Sequence, residues 1–186
     1  MNRRSVLLLL TCALPLGACV QTTVHTGPLD GTPDGPYLLL SGDRLRIMVF
    51  GQDSLANIYT VDGEGYVSMP LIGPLRVAGG TTRDAVRTIE AKLRNGFIRE
   101  PKVTVEIVAH RPFFILGEVH NPGQFPYVGG MTVQTAVAIA GGFGPRANQT
   151  YAEITRPLRG GLITANVPIT YPMKPGDTIV VKERWF

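Results

Sequence analysis

Hydrophobic and polar residues alternate over several short stretches of the chain, which is the pattern of half-buried β-strands. Residues 44–49 and 103–107 each place three aliphatic side chains on one face, with mainly polar ones between them. Residues 58–61 and 66–69 flank Asp62-Gly63-Glu64-Gly65, which is typical of a hairpin turn. Extended chain is predicted to continue to residue 77. This part of the chain is therefore predicted to consist largely of short strands.

The hydrophobic period changes to that of an α-helix after residue 80. Four apolar residues share one predicted helix face: Val86, Ile89, Leu93 and Phe97. Thr81 or Thr82 is positioned to cap the N-terminus, and Asp84 suits the first turn. Gly96 marks the end. Together with the strands, this helix makes residues 37–110 a small mixed α+β unit.

A second group of elements begins with an apolar run over residues 113–119. The run breaks at the turn sequence Asn121-Pro122-Gly123, and a second extended run covers residues 124–128. Thr132 then caps a short helix, which ends at Gly141-Gly142. The apolar face of this helix consists of Val133, Ala136, Val137 and Ala140.

Strands predominate again after this helix. Residues 151–156 and 162–167 are predicted strands, and a turn at residues 175–177 precedes a last strand over residues 178–182. The order of strand, strand, helix and further strands fits a β-grasp module, in which a sheet wraps around one helix. The predicted fold class is therefore α+β, with a β-grasp module over residues 111–186.

The N-terminus has the features of a lipoprotein signal peptide. A basic start is followed by an apolar stretch over residues 5–16, which is shorter than the roughly 20 residues that cross a bilayer. The sequence Leu16-Gly17-Ala18-Cys19 resembles the lipobox of bacterial lipoproteins. We therefore expect a signal peptide over residues 1–18 and acylation of Cys19. A plain secretory signal that contains a cysteine, or a short buried segment, are the alternatives.

The residues after the signal are predicted to connect a membrane anchor to the folded part. Residues 19–36 are rich in Thr, Gly, Pro and Asp and have no hydrophobic period, as in a flexible tether. Val20 stands where many inner-membrane lipoproteins have Asp, so that likeness implies the outer membrane. Cys12 would leave with the signal, so no thiol pair is expected for a disulfide or a metal.

The charge of the chain gives no indication of a nucleic-acid partner. The formal net charge is +4, and removal of Arg3 and Arg4 with the signal would lower it to +2. The chain contains no run of consecutive basic residues after the signal. Nucleic-acid binding is therefore not predicted.

The histidines do not indicate a metal centre. His25 lies in the tether, and His110 and His120 lie at strand ends without a nearby cysteine or cluster of carboxylates. The glycine-rich residues 141–146 follow a helix instead of preceding one, so they suit a helix end better than a phosphate-binding loop. Neither a metal ion nor a cofactor is predicted.

Four carboxylates are candidates for acid–base chemistry: Asp43, Asp62, Glu64 and Glu118. Each lies at a predicted turn or strand start, where a carboxylate commonly accepts backbone N–H groups. The sequence alone does not place any two of them at the separation that glycoside hydrolysis requires. The serines lack the surroundings of a catalytic nucleophile. The chain is therefore predicted not to be an enzyme.

Several motifs resemble one bacterial family in order and spacing. The N-terminal motifs are Tyr37-x-Leu39, Gly42-Asp43-x-Leu45-x-Ile47-x-Val49-x-Gly51, Val61-Asp62-x-x-Gly65, Pro70-Leu71-Ile72-Gly73, Gly80-Thr81-Thr82 and Pro101-x-Val103-x-Val105. They resemble the export domain of outer-membrane polysaccharide export proteins. The later motifs are Gly117-Glu118-Val119-x-x-Pro122-Gly123, Thr132-Val133, Ala140-Gly141-Gly142, and Gly176-Asp177-x-Ile179-x-Val181 with Glu183. They resemble the soluble-ligand-binding β-grasp (SLBB) domain of the same family.

The resemblance implies a lipid-anchored component of capsule or exopolysaccharide secretion that faces the periplasm from the outer membrane. It implies homo-oligomeric rings that enclose a conduit for the polysaccharide and an inner-membrane polysaccharide co-polymerase, or chain-length regulator, beneath them. The chain ends at Trp185-Phe186 without the pore-forming amphipathic helix of longer members. We therefore expect a separate outer-membrane β-barrel to provide the exit.

Two alternatives concern the oligomer and the aromatic end. The chain is alternatively a monomeric periplasmic module whose β-grasp unit binds a glycan or another small ligand. Trp185 and Phe186 are predicted to be an ordered strand tail or a contact between subunits. The sequence leaves the residues that face the glycan unknown.

Overall fold

The computed structural model describes residues 36–158 and 161–184. The predicted signal peptide, Cys19 and nearly all of the tether therefore lie outside the described residues. The same holds for His25 and for Trp185-Phe186. No helix within the described residues is long and apolar enough to cross a membrane.

The N-terminal part is built on a three-stranded antiparallel sheet. Strand β1 (Arg44–Val49) lies at its centre, between β2 (Asn57–Thr60) and β5 (Val103–Ala109). The alternation in β1 produces the predicted pattern, because every second residue from Leu45 is buried. Helix α1 (Thr82–Arg94) packs against β5, and the buried residues of this part form one core.

One predicted hairpin is wrong in its pairing. Strands form where expected, but β2 pairs with β1, whereas β3 (Tyr66–Met69) pairs with β4 (Gly73–Arg76) in a separate two-stranded sheet. The turn itself forms, because Oδ1 of Asp62 accepts the N–H groups of Glu64 at 3.0 Å and Tyr66 at 2.8 Å. It redirects the chain from one sheet to the other instead of joining two paired strands.

The first helix begins as predicted and ends earlier than its apolar period suggested. Thr81 caps it: its hydroxyl accepts the N–H of Asp84, whose carboxylate accepts the N–H of Thr81 in return. Ile89 and Leu93 are buried as expected. Phe97 lies beyond the helix and is 52% exposed, so its predicted place on the apolar helix face is wrong. The helix ends at Arg94 and the chain turns away at Gly96, at φ 97°, before it reaches Phe97.

The C-terminal part has the predicted β-grasp topology. Its elements are β6 (Phe113–Gly117), β7 (Gly123–Phe125), α2 (Val133–Ile139), β8 (Tyr151–Leu158), β9 (Gly161–Pro168) and β10 (Thr178–Val181). The strands form one sheet in the order β7-β6-β10-β8-β9. The last strand lies at the centre, parallel to β6 and antiparallel to β8. The α+β fold class is therefore confirmed.

Helix α2 covers one face of this sheet. Thr132 caps it through its hydroxyl, and the glycines at 141–142 end it with φ values of 83° and 96°. The predicted apolar face is confirmed, since Val133, Ala136, Val137 and Ala140 are all buried. They pack with residues of β6, β8 and β10 in a second core.

A buried ion pair joins two strands of the β-grasp sheet. Arg156 in β8 donates two hydrogen bonds of 2.8 Å to the two carboxylate oxygens of Asp177, which directly precedes β10. Their side chains are 4% and 0% exposed. The second oxygen of Asp177 also accepts the N–H of Lys174 at 2.7 Å.

Candidate functional surfaces

The aspartates singled out from the sequence are used in turns. Asp43 is fully buried, and its Oδ2 accepts the N–H of Leu40 at 2.9 Å. Its Oδ1 accepts the N–H of Arg111 at 3.1 Å, and both oxygens lie 2.8 Å from the hydroxyl of Tyr37. With the turn of Asp62 described above, this confirms the predicted backbone-bonding role of the two aspartates.

The two glutamates differ from the aspartates. Glu64 lies exposed in the turn that Asp62 stabilises. The carboxylate of Glu118 lies 3.8 Å from the guanidinium of Arg146, which also pairs with Glu183 at 3.0 Å. The predicted bonding of Glu118 to backbone N–H groups is therefore wrong: its carboxylate pairs with a cation from the loop after α2.

The two described histidines have different surroundings. His110 lies edge-on to the rings of Tyr37 and Tyr127, with centroids 4.6 Å and 5.6 Å away, and its buried Nδ1 has no hydrogen-bond partner. His120 is exposed, with Nδ1 3.4 Å from the carbonyl oxygen of Gly142. Within residues 36–158 and 161–184, no group of three His, Cys, Asp or Glu side chains is placed to hold a metal ion.

An exposed apolar patch, here called the Leu71–Phe97 patch, lies beside the end of α1. Leu71 and Phe97 are 56% and 52% exposed, and with Ile72 they line a shallow pocket whose polar residues are Lys92 and Asn95. Leu71 lies in the β3–β4 turn at φ 70°, in the left-handed region that costs a branched side chain about 1–2 kcal/mol. This turn was not predicted, because Pro70 to Val77 reads as extended chain.

Both larger sheets also expose apolar residues on the face away from their helix. On the three-stranded sheet they include Met48 and Ile58, next to Arg44 and Arg46. Phe50, just after β1, is 84% exposed. On the β-grasp sheet they are Phe114, Leu116, Tyr151 and Leu162. The hydroxyls of Thr155 and Thr164 lie 2.8 Å apart among them. These faces offer contact area and polar groups without any reactive constellation.

Two family models match the chain in sequence order. The model described as "Polysaccharide biosynthesis/export protein" matches residues 32–108. The model described as "SLBB domain" matches residues 112–165. The first covers the three-stranded sheet, the small sheet and α1, and the second covers the β-grasp sheet as far as β9.

Curated relatives agree with these matches. The chain is 37% identical over 86 residues to the exopolysaccharide production protein ExoF of Rhizobium meliloti. The matched stretch covers 45% of this chain and 20% of ExoF. The chain is 25% identical over 176 residues to the polysialic acid transport protein KpsD of Escherichia coli, which covers 88% of this chain and 31% of KpsD. The chain thus spans less than a third of the length of either relative.

These matches and the fold support the same interpretation of the motifs. The export-type motifs lie in the N-terminal part, and the β-grasp motifs lie in the sheet that follows it. The expectation that the chain is not an enzyme agrees with both the relatives and the family models. The chain belongs to the polysaccharide export protein family, with an export domain followed by an SLBB-type β-grasp domain.

Proposed function

We propose that this protein is a component of a translocon that exports a capsule or exopolysaccharide. The observation that carries the proposal is the succession of an export domain and a β-grasp domain in one chain, at residues 32–108 and 112–165. The names of ExoF and KpsD, which refer to exopolysaccharide production and polysialic acid transport, support it. We propose domain limits of 37–110 and 111–186, with the signal and tether before them.

The proposed location is the periplasmic side of the outer membrane. The lipobox-like sequence at residues 16–19 supports acylation of Cys19, and Val20 supports the outer membrane as the destination. Several acyl chains on one cysteine would anchor the protein firmly, because each buried CH₂ contributes about 0.8 kcal/mol. Residues 20–36 would then connect the anchor to the first domain.

The proposed assembly is a homo-oligomeric ring. A ring needs two different surfaces on each subunit, since the contacts are head-to-tail. The Leu71–Phe97 patch and the exposed face of the three-stranded sheet belong to different elements and both expose large apolar side chains. Such exposed patches commonly mark protein contacts. An inner-membrane co-polymerase and a separate outer-membrane β-barrel are the proposed partners on either side.

The proposed mechanism is geometric. A conduit that hydrates a glycan with many weak polar contacts lets it move, whereas tight binding at one site would stop it. The exposed face of the β-grasp sheet carries hydroxyl and amide groups that can make such weak polar contacts, among them Thr155, Thr164 and Asn166. No reactive group has to act on the polysaccharide.

The test is secretion in a deletion strain. Loss of the gene should abolish surface polysaccharide, and the wild-type chain should restore it; a Cys19→Ser variant should be released from the membrane fraction and restore it poorly. Normal export in the deletion strain would refute the proposed function. Light scattering of the detergent-extracted protein tests the ring separately, because a monomer at every concentration would favour the monomeric binding module.

A further inference from the structure

Two turns of the same construction begin the central strands of the two larger sheets. Residues 40–43 precede β1, and residues 174–177 precede β10. In each turn the N–H of the aspartate donates to the carbonyl oxygen three residues earlier, at 3.2 Å. The carboxylate in turn accepts the N–H of that earlier residue, at 2.9 Å in the first turn and 2.7 Å in the second. Asp43 and Asp177 are both fully buried.

Arg111 lies between these two turns and bonds to each of them. Its backbone N–H donates to Oδ1 of Asp43 at 3.1 Å, and its Nε donates to the carbonyl oxygen of Pro175 at 2.6 Å. The side chain also fits against the glycines of both turns. A Cβ on Gly42 would lie 3.4 Å from Cβ of Arg111, and a Cβ on Gly176 would lie 2.3 Å from its Nε.

His110 and Pro112, on either side of Arg111, make further contacts with the two parts of the chain. The ring of His110 lies between those of Tyr37, from the N-terminal part, and Tyr127, from the β-grasp part. The carbonyl oxygen of Pro112 accepts the N–H of Gly176 at 3.1 Å. Residues 110–112 thus contact both parts of the chain through three successive residues.

We infer that Arg111 is a clamp that fixes the orientation of the export domain relative to the β-grasp domain, with the two Gly-Asp turns as its receptors. Its backbone is held by one domain and its guanidinium by the other. A short connection between two domains otherwise leaves their relative orientation free to vary. The clamp is a positioning device, and it matters for export because stacked rings require a constant angle between the domains. Only that last consequence rests on the proposed function.

The test measures the distance between the two domains in the full-length chain. Cys12 and Cys19 are replaced by serine, and spin labels are attached at Arg87→Cys in α1 and Ile139→Cys in α2, both of which are exposed. Double electron–electron resonance should give one narrow distance distribution. Arg111→Ala should at least double its width, and Arg111→Lys should give an intermediate width, because the ammonium keeps the charge without the Nε donor. Arg94→Ala, at the exposed end of α1, is the matched control and should leave the width unchanged.

Hydrogen exchange of β1 and β10 distinguishes a clamp from a residue that the fold needs. Both strands should keep their protection in Arg111→Ala, because the variant removes only the side chain between the two Gly-Asp turns and leaves the hydrogen bonds of each sheet in place. An unchanged width in Arg111→Ala would overturn the inference. Lost protection in either strand would overturn it as well, since Arg111 would then support one domain rather than the joint. Neither measurement involves a polysaccharide, so the outcome is independent of the secretion test.

Discussion

Removal of Asp177 should destabilise the β-grasp domain severely. The Asp177→Ala substitution leaves the guanidinium of Arg156 buried at 4% exposure without its carboxylate partner. The guanidinium keeps a 3.3 Å contact with the carbonyl oxygen of Pro172 and lies 5.8 Å from the centre of the Tyr171 ring, and neither replaces a carboxylate. Breaking a buried pair from one side costs about 3–5 kcal/mol, because an uncompensated charge stays in the interior. For a chain of this size that corresponds to a fall in Tm of roughly 6–20 °C.

The assay is urea unfolding followed by far-UV circular dichroism. Glu153→Gln is the matched control, because it removes the exposed pair with Lys182 and should cost less than about 1 kcal/mol. The double variant Arg156→Met/Asp177→Leu removes both buried charges, so it should be more stable than Asp177→Ala alone. An Asp177→Ala variant no less stable than Glu153→Gln would refute the reasoning.

Three further predictions concern single residues. Leu71→Gly should raise the urea midpoint of unfolding or leave it unchanged. Relief of the strain of the left-handed backbone, about 1–2 kcal/mol, exceeds the roughly 0.5–1 kcal/mol that glycine costs in conformational entropy. A lower midpoint would contradict this. The N–H of Thr81 and the other donors around Asp84 lower the pKa of Asp84 from 3.8 to about 2. Its contribution to stability is therefore present above pH 4 and is lost as the pH falls through about 2. NMR titration of the carboxyl group should give the lowered pKa, and Asp84→Asn should flatten the dependence of stability on pH in that window. Gly117→Ala should lower the free energy of unfolding by about 2 kcal/mol or more, because φ is 86° and the new Cβ would lie 2.2 Å from the carbonyl oxygen of Val181. Thermal unfolding measures this, and an unchanged Tm would show that the ends of β6 and β10 move apart to make room.

Local signals in the sequence were sufficient for most elements. The capping residue Thr81, the glycine pair at 141–142 and the alternation in β1 each act through neighbours within four residues, so their effect is visible in the sequence. The apolar period misled at Phe97, because a period does not register the glycine one residue earlier that turns the chain. Strand existence and helix faces were therefore predictable.

The pairing of strands and the contacts between the two domains could not be predicted from the sequence. The turn at Asp62 looks like a hairpin from its own residues, but β2 is held by four register pairs with β1, which lies before it in the chain. Arg111 bonds to residues 68 and 64 positions away, and no local pattern identifies such partners. The buried pair of Arg156 and Asp177 is likewise non-local, at a separation of 21 residues. Each of these depends on the assembled fold.

The central place of β10 has a consequence for how the domain folds. The strand that joins β6 to β8 comes after the other four strands of the sheet in the chain. During synthesis, β7-β6 and β8-β9 therefore keep unpaired inner edges until residues 178–181 have been made. Unpaired edges are prone to pair with other chains. A fragment cut to residues 112–165 would keep both edges open permanently. The β-grasp domain therefore depends on β10 to close its sheet before these edges pair with another chain.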